Sequence, residues 1–501
     1  MQLSSFDESL TRWKVAYQLL VDVTNLFSNA CDSLLRTMPV DKSWLEAALS
    51  QLREEASSLE LIVGQIAHSR VVIHREINTS TSLVPINVLP PEILSRILTF
   101  TPLTLYYVHG FHKARKEHSL VAVSSVCAGW RKLAIGTRSL WSYICMDEEF
   151  IFDKINSPAQ RWAELWLDRS AGAPLTLHLT KNPYTRRPVD ARHITSFLRP
   201  HISKAAVLEF NRTSSHVVEA VITLYGSQNP STLLKELSVF DIRSLTTTPG
   251  LTWPVAALQD LRVLVLWKLP TTICPDMDVI AQILLNSPRL HTLEIRQSTS
   301  TLHNNNLPVA SLRHLKSLKL RSDDRTGLGR QLSMLEPGTN ELDVALTLPN
   351  PFDLKCSHEV RAFLERAKVT KLSLNDLGED YAAQLCTYLD YTPYLRELSL
   401  SCIEYNNSRT FLSALLVTGD DGEALARYPN LRCLGLSRMV IDQEQLKRVI
   451  DNYKLSSIEL GHEATFLNGP RGSTSGKDFL NWLRQRVGIV ISVEYGMEEN
   501  S

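Results

Sequence analysis

Leu261-Arg262-Val263-Leu264-Val265-Leu266-Trp267 returns as Leu290-His291-Thr292-Leu293-Glu294-Ile295-Arg296 and again as Leu315-Lys316-Ser317-Leu318-Lys319-Leu320-Arg321. In each copy the fourth and sixth residues are apolar and their neighbours are mostly not, the alternation of a strand with one buried face. The pattern also starts at Leu234, Leu395 and Leu431, and in weaker form at Val369 and Leu455, so successive starts lie 27, 29, 25, 54, 26, 36 and 24 residues apart. The gap of 54 is twice 27, and Leu342, Val344, Leu346 and Leu348 alternate within it as a degraded copy. Helical returns fit 277–286, 360–367 and 381–391, and Ser287-Pro288, Thr392-Pro393 and Tyr428-Pro429 mark turns ahead of strands. The expectation is an α/β solenoid: parallel strands with helices on the convex side.

Periods of 24–29 resemble leucine-rich repeats, here irregular because Leu269, Ser298, Leu377, Ile403 and Met439 stand where that family places its asparagine. Strand alternation assigns an outermost concave row of Phe240, Trp267, Arg296, Arg321, Asn375, Ser401, Ser437 and Gly461. Beside it run Ser238, Val265, Glu294, Lys319, Ser373, Ser399, Gly435 and Glu459. An aromatic pair followed by arginines has the composition of a binding hot spot, which makes Phe240, Trp267, Arg296 and Arg321 candidate target-binding residues. The competing reading covers Phe240 and Trp267 with a following helix or a C-terminal segment.

Upstream, Ile86-Asn87-Val88-Leu89-Pro90-Pro91-Glu92-Ile93-Leu94-Ser95-Arg96-Ile97-Leu98 suits a short helix. Pro91 fits its first position, Pro90 its cap, and Leu89 and Leu94 the spacing of a hydrophobic staple. A second helical segment, Ser119 to Ala134, carries Leu120, Val123, Cys127 and Trp130 on one face, and Leu140-Trp141 closes the stretch. Leu-Pro-Pro-Glu-Ile with Val-Cys-x-x-Trp-Arg resembles the F-box, the non-catalytic module that attaches substrate receptors to SCF-type cullin ubiquitin ligases. The resemblance implies a Skp adaptor as partner, and a cullin through it. The expected adaptor-docking residues are Leu89, Pro90, Pro91, Ile93, Leu94, Ile97, Leu98, Val123, Cys127 and Trp130. Residues 99–119 exceed the usual F-box connection and read as a solvated aromatic and basic loop; His109 and His112 have ligand spacing without the further donors a metal needs.

Residues 1–80 are nearly free of Pro and Gly. A first helix spans about 6–36, with Phe6, Leu10, Trp13, Tyr17 and Leu20 on one side. After Pro39 comes a heptad seam of Leu45, Leu49, Leu52, Ala56, Leu59, Val63, Ile66, Arg70, Ile73 and Ile77, with Ser43 and Glu46 as a capping box. An intramolecular hairpin is favoured over self-association through residues 41–77. Such leaders precede the F-box in many proteins of mushroom-forming fungi. The junction Trp162-Ala163-Glu164-Leu165-Trp166-Leu167-Asp168-Arg169-Ser170, leading through Gly172 and Pro174 to Leu175-Thr176-Leu177, is similar to theirs. The expected domains are 1–84, 85–144, 145–496 and a tail at 497–501.

The 501 residues hold 53 basic and 53 acidic side chains, which argues against nucleic acid or anionic membrane as a global partner. Eight scattered Cys without a CxxC pair fit reduced thiols, and no run reaches the ~20 apolar residues of a membrane span, so cytoplasmic or nuclear residence is expected. The Asn-x-Ser/Thr sites at Asn78, Asn211 and Asn406 are then chance matches. Gly472-Ser473-Thr474-Ser475-Gly476-Lys477-Asp478 fails as a phosphate loop, having three residues between its glycines and Asp478 at the magnesium position. It also fails as a nucleophile elbow, because Thr474 is central. No catalytic, metal or cofactor set stands out. The expectation is a substrate receptor, with a non-catalytic scaffold outside ubiquitin transfer as the alternative.

Overall fold

The computed structural model describes residues 2–37, 42–80, 82, 84–99, 105–108, 111–114, 116–147, 158–181, 190–228, 233–242, 251–297, 307–322, 327–348, 354–378, 382–407, 409–418, 424–461, 464–466, 476–487 and 489–492. The chain forms two compact units: Met1–Ile97 with Ala122–Lys132, and Leu98–Val121 with Leu133–Ser501.

In the first unit, α1 (Gln2–Thr37) and α2 (Lys42–Thr79) are long helices, as their Pro-poor sequences require. A 3-10 turn at Pro85–Val88 leads to α3 (Pro91–Thr99). α4 (Lys116–Ser124) and α5 (Ala128–Gly136) contribute their halves at 122–132. The expected hairpin does not close along its seams. Leu10, Trp13, Tyr17 and Leu20 on α1 are exposed, as are Leu49, Val63, Ile66, Ile73 and Ile77 on α2. Exposed Leu61, Ile62, Val71 and Val72 show why: apolar residues spread around α2 instead of keeping to one stripe.

The second unit is an α/β solenoid. The 99–119 insert, expected to be a loop, carries an antiparallel hairpin, β1 (Leu105–Val108) with β2 (Phe111–Ala114). Tyr106-Tyr107-Val108 has the β-propensity for it; His109 lies outside the described residues, as does the His112 side chain.

The main sheet runs from β3 (Tyr143–Asp147) through β4 (Leu175–Thr180), β5 (Ala205–Asn211), β6 (Glu236–Phe240), β7 (Val263–Trp267) and β8 (Thr292–Gln297). It continues through β10 (Ser317–Ser322), β12 (Leu342–Thr347), β13 (Val369–Leu377), β14 (Glu397–Asn407), β17 (Cys433–Ile441), β18 (Ser457–Leu460) and β20 (Ile489–Ser492). All neighbours are parallel, and β19 (Thr465–Phe466) adds to β17. Short pairs β9 (Ala310–Leu312) with β11 (Leu335–Pro337), and β15 (Leu416–Thr418) with β16 (Ala424–Ala426), lie off this sheet.

The degraded copy is β12, sitting between β10 and β13. Helices Met277–Leu285, Leu354–Arg366 and Ala382–Asp390 are among the returns. Leu264, Leu266, Leu293, Ile295, Leu318 and Leu320 are buried with Ile280, Ala281 and Leu284, so the apolar strand face meets the helices. The last helix spans Gly476–Arg486, and residues 472–475 of the Gly-rich stretch lie outside the described residues.

A repeated backbone device closes several strands. Arg212, Asp241 and Lys268, each the residue after a strand, take φ of 55°, 48° and 48°. Their N–H groups donate to Phe240, Trp267 and Arg296 carbonyls at 3.0, 2.9 and 2.9 Å, tying each strand end to the next. The left-handed conformation costs a non-glycine residue about 1 kcal/mol, which these bonds help to offset.

Candidate docking segment and binding face

Pro90 and Pro91 set the geometry of the docking segment. The Pro90 carbonyl accepts from the N–H groups of Ile93 and Leu94, both at 3.0 Å, so Pro90 caps α3 and Pro91 opens it. The apolar stripe then divides. Leu94 and Leu98 are buried and serve the core, whereas Ile93 and Ile97 stay 47% and 40% exposed. Val88 and Val126, in the same unit, are exposed too, so these valines are accessible as Ile93 and Ile97 are, whereas Leu94 is not. Helical spacing alone could not separate the two edges.

Val-Cys-x-x-Trp-Arg has a concrete local role. Cys127 Sγ accepts from the Trp130 N–H at 3.4 Å, which caps α5 in the manner of an N-cap side chain. Arg131 Nε donates to the Ser124 carbonyl at 3.1 Å, satisfying the end of α4. Trp130 Nε1 donates to Asn87 Oδ1 at 3.2 Å. Asn87 Nδ2 donates to the Asn78 carbonyl at 2.6 Å, and Asn78 Nδ2 to the Val126 carbonyl at 3.3 Å. Sequence reasoning overlooked Asn78 and Asn87, whose partners lie as far as 48 residues away. Leu89, Val123, Cys127 and Trp130 are half-buried, while Pro90 and Pro91 are exposed.

In the second unit, Trp141 is fully buried at the start of the solenoid. Its Nε1 donates to the Ala134 carbonyl at 2.7 Å, its ring meets Trp166 edge-on at 5.2 Å, and Arg169 lies 4.3 Å from its centre.

The sheet face opposite the helices carries the expected row. Register joins Phe240 to Trp267, Trp267 to Arg296 and Arg296 to Arg321. Thr347, missing from the sequence-derived row, follows Arg321 and precedes Asn375. Asn375 and Ser401 are not paired, because register shifts after Leu374; Ser401 pairs with Ser437. The row also continues upstream through Asn211 and Thr180 to Asp147.

Phe240 and Trp267 are half-buried and meet edge-to-face at 6.2 Å, with Arg296 4.4 Å from the indole centre. Trp267 is therefore not covered by a helix or tail to the point of burial. The cations are already paired in-chain: Arg296 and Lys319 each lie 3.6 Å from Glu294, and Arg321 and Arg438 lie 3.5 and 3.8 Å from Asp376. Farther upstream, His178 Nδ1 meets Glu209 Oε2 at 3.1 Å and stacks on Tyr143, whose hydroxyl burial holds in its neutral form.

Among the described residues, no helix is long and apolar enough to cross a membrane. The chain has similarity to a crystal structure of a protein from Bacteroides fragilis, with 12% identity over 70% of this chain and 75% of that one and a TM-score of 0.30. No curated protein matches the chain. A family model described as F-box-like matches residues 86–147, which covers the proline-capped helix, the Cys127–Trp130 turn and Trp141. Residues 86–147 thus form an F-box-like domain in a chain that continues as an α/β solenoid.

Proposed function

We propose that this protein is the substrate-recognition subunit of an SCF-type cullin ubiquitin ligase. Residues 85–144 dock a Skp adaptor, and a leucine-rich-repeat arm at 145–496 holds a target protein. The leader, residues 1–84, serves self-association through the seam at 41–77, of which Leu49, Val63, Ile66, Ile73 and Ile77 are exposed.

The observation that carries this reading is the F-box-like match at 86–147, joined to an exposed apolar edge on α3 that the chain itself leaves uncovered. Ile93, Ile97, Val88 and Val126 supply the adaptor contact, with Cys127 and Trp130 fixing the turn that opens α5. On the solenoid, Phe240 and Trp267 give an apolar anchor beside Arg296 and Arg321. That pairing suits a segment with a hydrophobic residue followed by acidic or phosphorylated ones.

Affinity purification of the full chain tests the reading. Co-purification of both a Skp protein and a cullin is expected. Recovery of the Skp protein without a cullin would instead indicate a scaffold outside ubiquitin transfer, and recovery of neither would overturn the docking assignment.

A further inference from the structure

The residues just ahead of the strands form a second backbone ladder, away from the aromatic row. Arg262 N–H donates to the Lys235 carbonyl at 2.6 Å, His291 N–H to the Arg262 carbonyl at 2.8 Å, and Lys316 N–H to the His291 carbonyl at 2.8 Å. Arg262, His291 and Lys316 therefore stand side by side ahead of β7, β8 and β10, about 4.8 Å per strand. His314, in the turn before β10, brings its ring to 6.2 Å from that of His291.

Several cations elsewhere ahead of the strands meet carboxylates, whereas Arg432, ahead of β17, bonds the Pro429 and Leu431 carbonyls. At the two ends of this run Lys235 lies 4.0 Å from Asp260, and Glu341 lies 3.6 and 3.4 Å from Lys368 and Arg396. Among the described residues, no ion pair joins Arg262, His291, His314 or Lys316 to a carboxylate. The crowding registers on His291. Burial lowers its pKa below the usual imidazole value, and Lys316, Arg262 and His314 push it the same way.

We propose that this leading edge binds a phosphate group carried on a segment of a partner protein. Four cationic or protonatable groups lie within about 10 Å, two strand spacings, and an extended partner presents only two same-side residues over that length. One phosphate brings close to two charges and three acceptor oxygens to a single point, which separate carboxylates do not. A nucleic-acid backbone would need a longer basic track, and Asp260 and Glu341 close this one at both ends.

The test uses the full chain and a short Gly-Ser peptide bearing one phosphoserine, with unmodified peptide and oligo(dT) as comparisons, read by anisotropy and by the His291 ring signals. Phosphopeptide should bind more tightly than either comparison, and the His291 midpoint should rise when it does. Arg262→Ala with Lys316→Ala should weaken it roughly tenfold or more. Arg448→Ala with Lys454→Ala, exposed on and just after the helix Gln443–Asn452 and ahead of β18, far along the sheet from β7, β8 and β10, should leave it unchanged. Absence of phosphopeptide binding, equal binding of the unmodified peptide, tighter binding of oligo(dT), or indifference to the double substitution would each overturn the proposal.

Discussion

Two isoleucines and two leucines on α3 give the sharpest test of adaptor docking, because adjacent residues of one helix are assigned opposite duties. Fully burying an isoleucine is worth about 1.5–3 kcal/mol. Ile93 and Ile97 retain 47% and 40% of their exposure, so docking can still gain about 1 kcal/mol from each. Ile93→Ala with Ile97→Ala should then cost about 2 kcal/mol of binding, roughly a thirtyfold rise in Kd. Leu98, only 3% exposed, should behave differently: Leu98→Ala should cost about 2–5 kcal/mol of stability through its cavity. Calorimetric titration with a Skp protein and denaturant melts of each variant separate the two effects. A folded isoleucine double variant that binds with unchanged Kd would refute the assignment of this edge.

Asn87→Ala should destabilise the protein by about 1–3 kcal/mol in denaturant melts, since it strands the Trp130 indole N–H and the Asn78 carbonyl. Trp267→Ala should abolish target capture in pull-downs while leaving Skp binding unchanged, with a loss of about 1–3 kcal/mol in the melt from its contacts with Phe240 and Arg296. Cys402 and Cys274, whose thiols burial pushes up to about 11 and about 12, should resist alkylation at pH 8 in native protein and react once it is unfolded. His291 stays neutral in the folded chain at a pH where the unfolded chain protonates it, so its contribution to stability should be lost as pH falls below the ordinary imidazole value. Replacing Arg262 and Lys316 with Ala should raise its midpoint by NMR titration.

The strands from Leu234 onward were legible because each repeats an apolar spacing that fixes which face is buried. β12 could be placed from arithmetic alone, yet Thr347 was missed, since a degraded copy does not announce its last residue. The division of α3 was hidden for another reason: Ile93, Leu94, Ile97 and Leu98 share helical spacing, and only tertiary packing decides which pair is inside. The Asn78–Asn87–Trp130 chain of hydrogen bonds joins distant segments and leaves no periodic trace. The seam on α2 was visible as heptads, but the apolar residues between them were given too little weight.

The left-handed residues after the strands have a consequence for engineering. Glycine relieves the side-chain clash at such a φ but carries an entropic cost of about 0.5–1 kcal/mol, so the net gain is small wherever the replaced side chain is idle. Lys268 is exposed with a φ of 48°, which makes Lys268→Gly a neutral or mildly stabilising exchange. Asp376, at 58°, is the opposite case, for its carboxylate holds Arg321 and Arg438 together across the sheet. There a glycine would relax the backbone and remove both ion pairs in the same step. A stabilised variant should therefore be sought at Lys268, while Asp376 marks where a left-handed backbone is retained to keep charge aimed across the sheet.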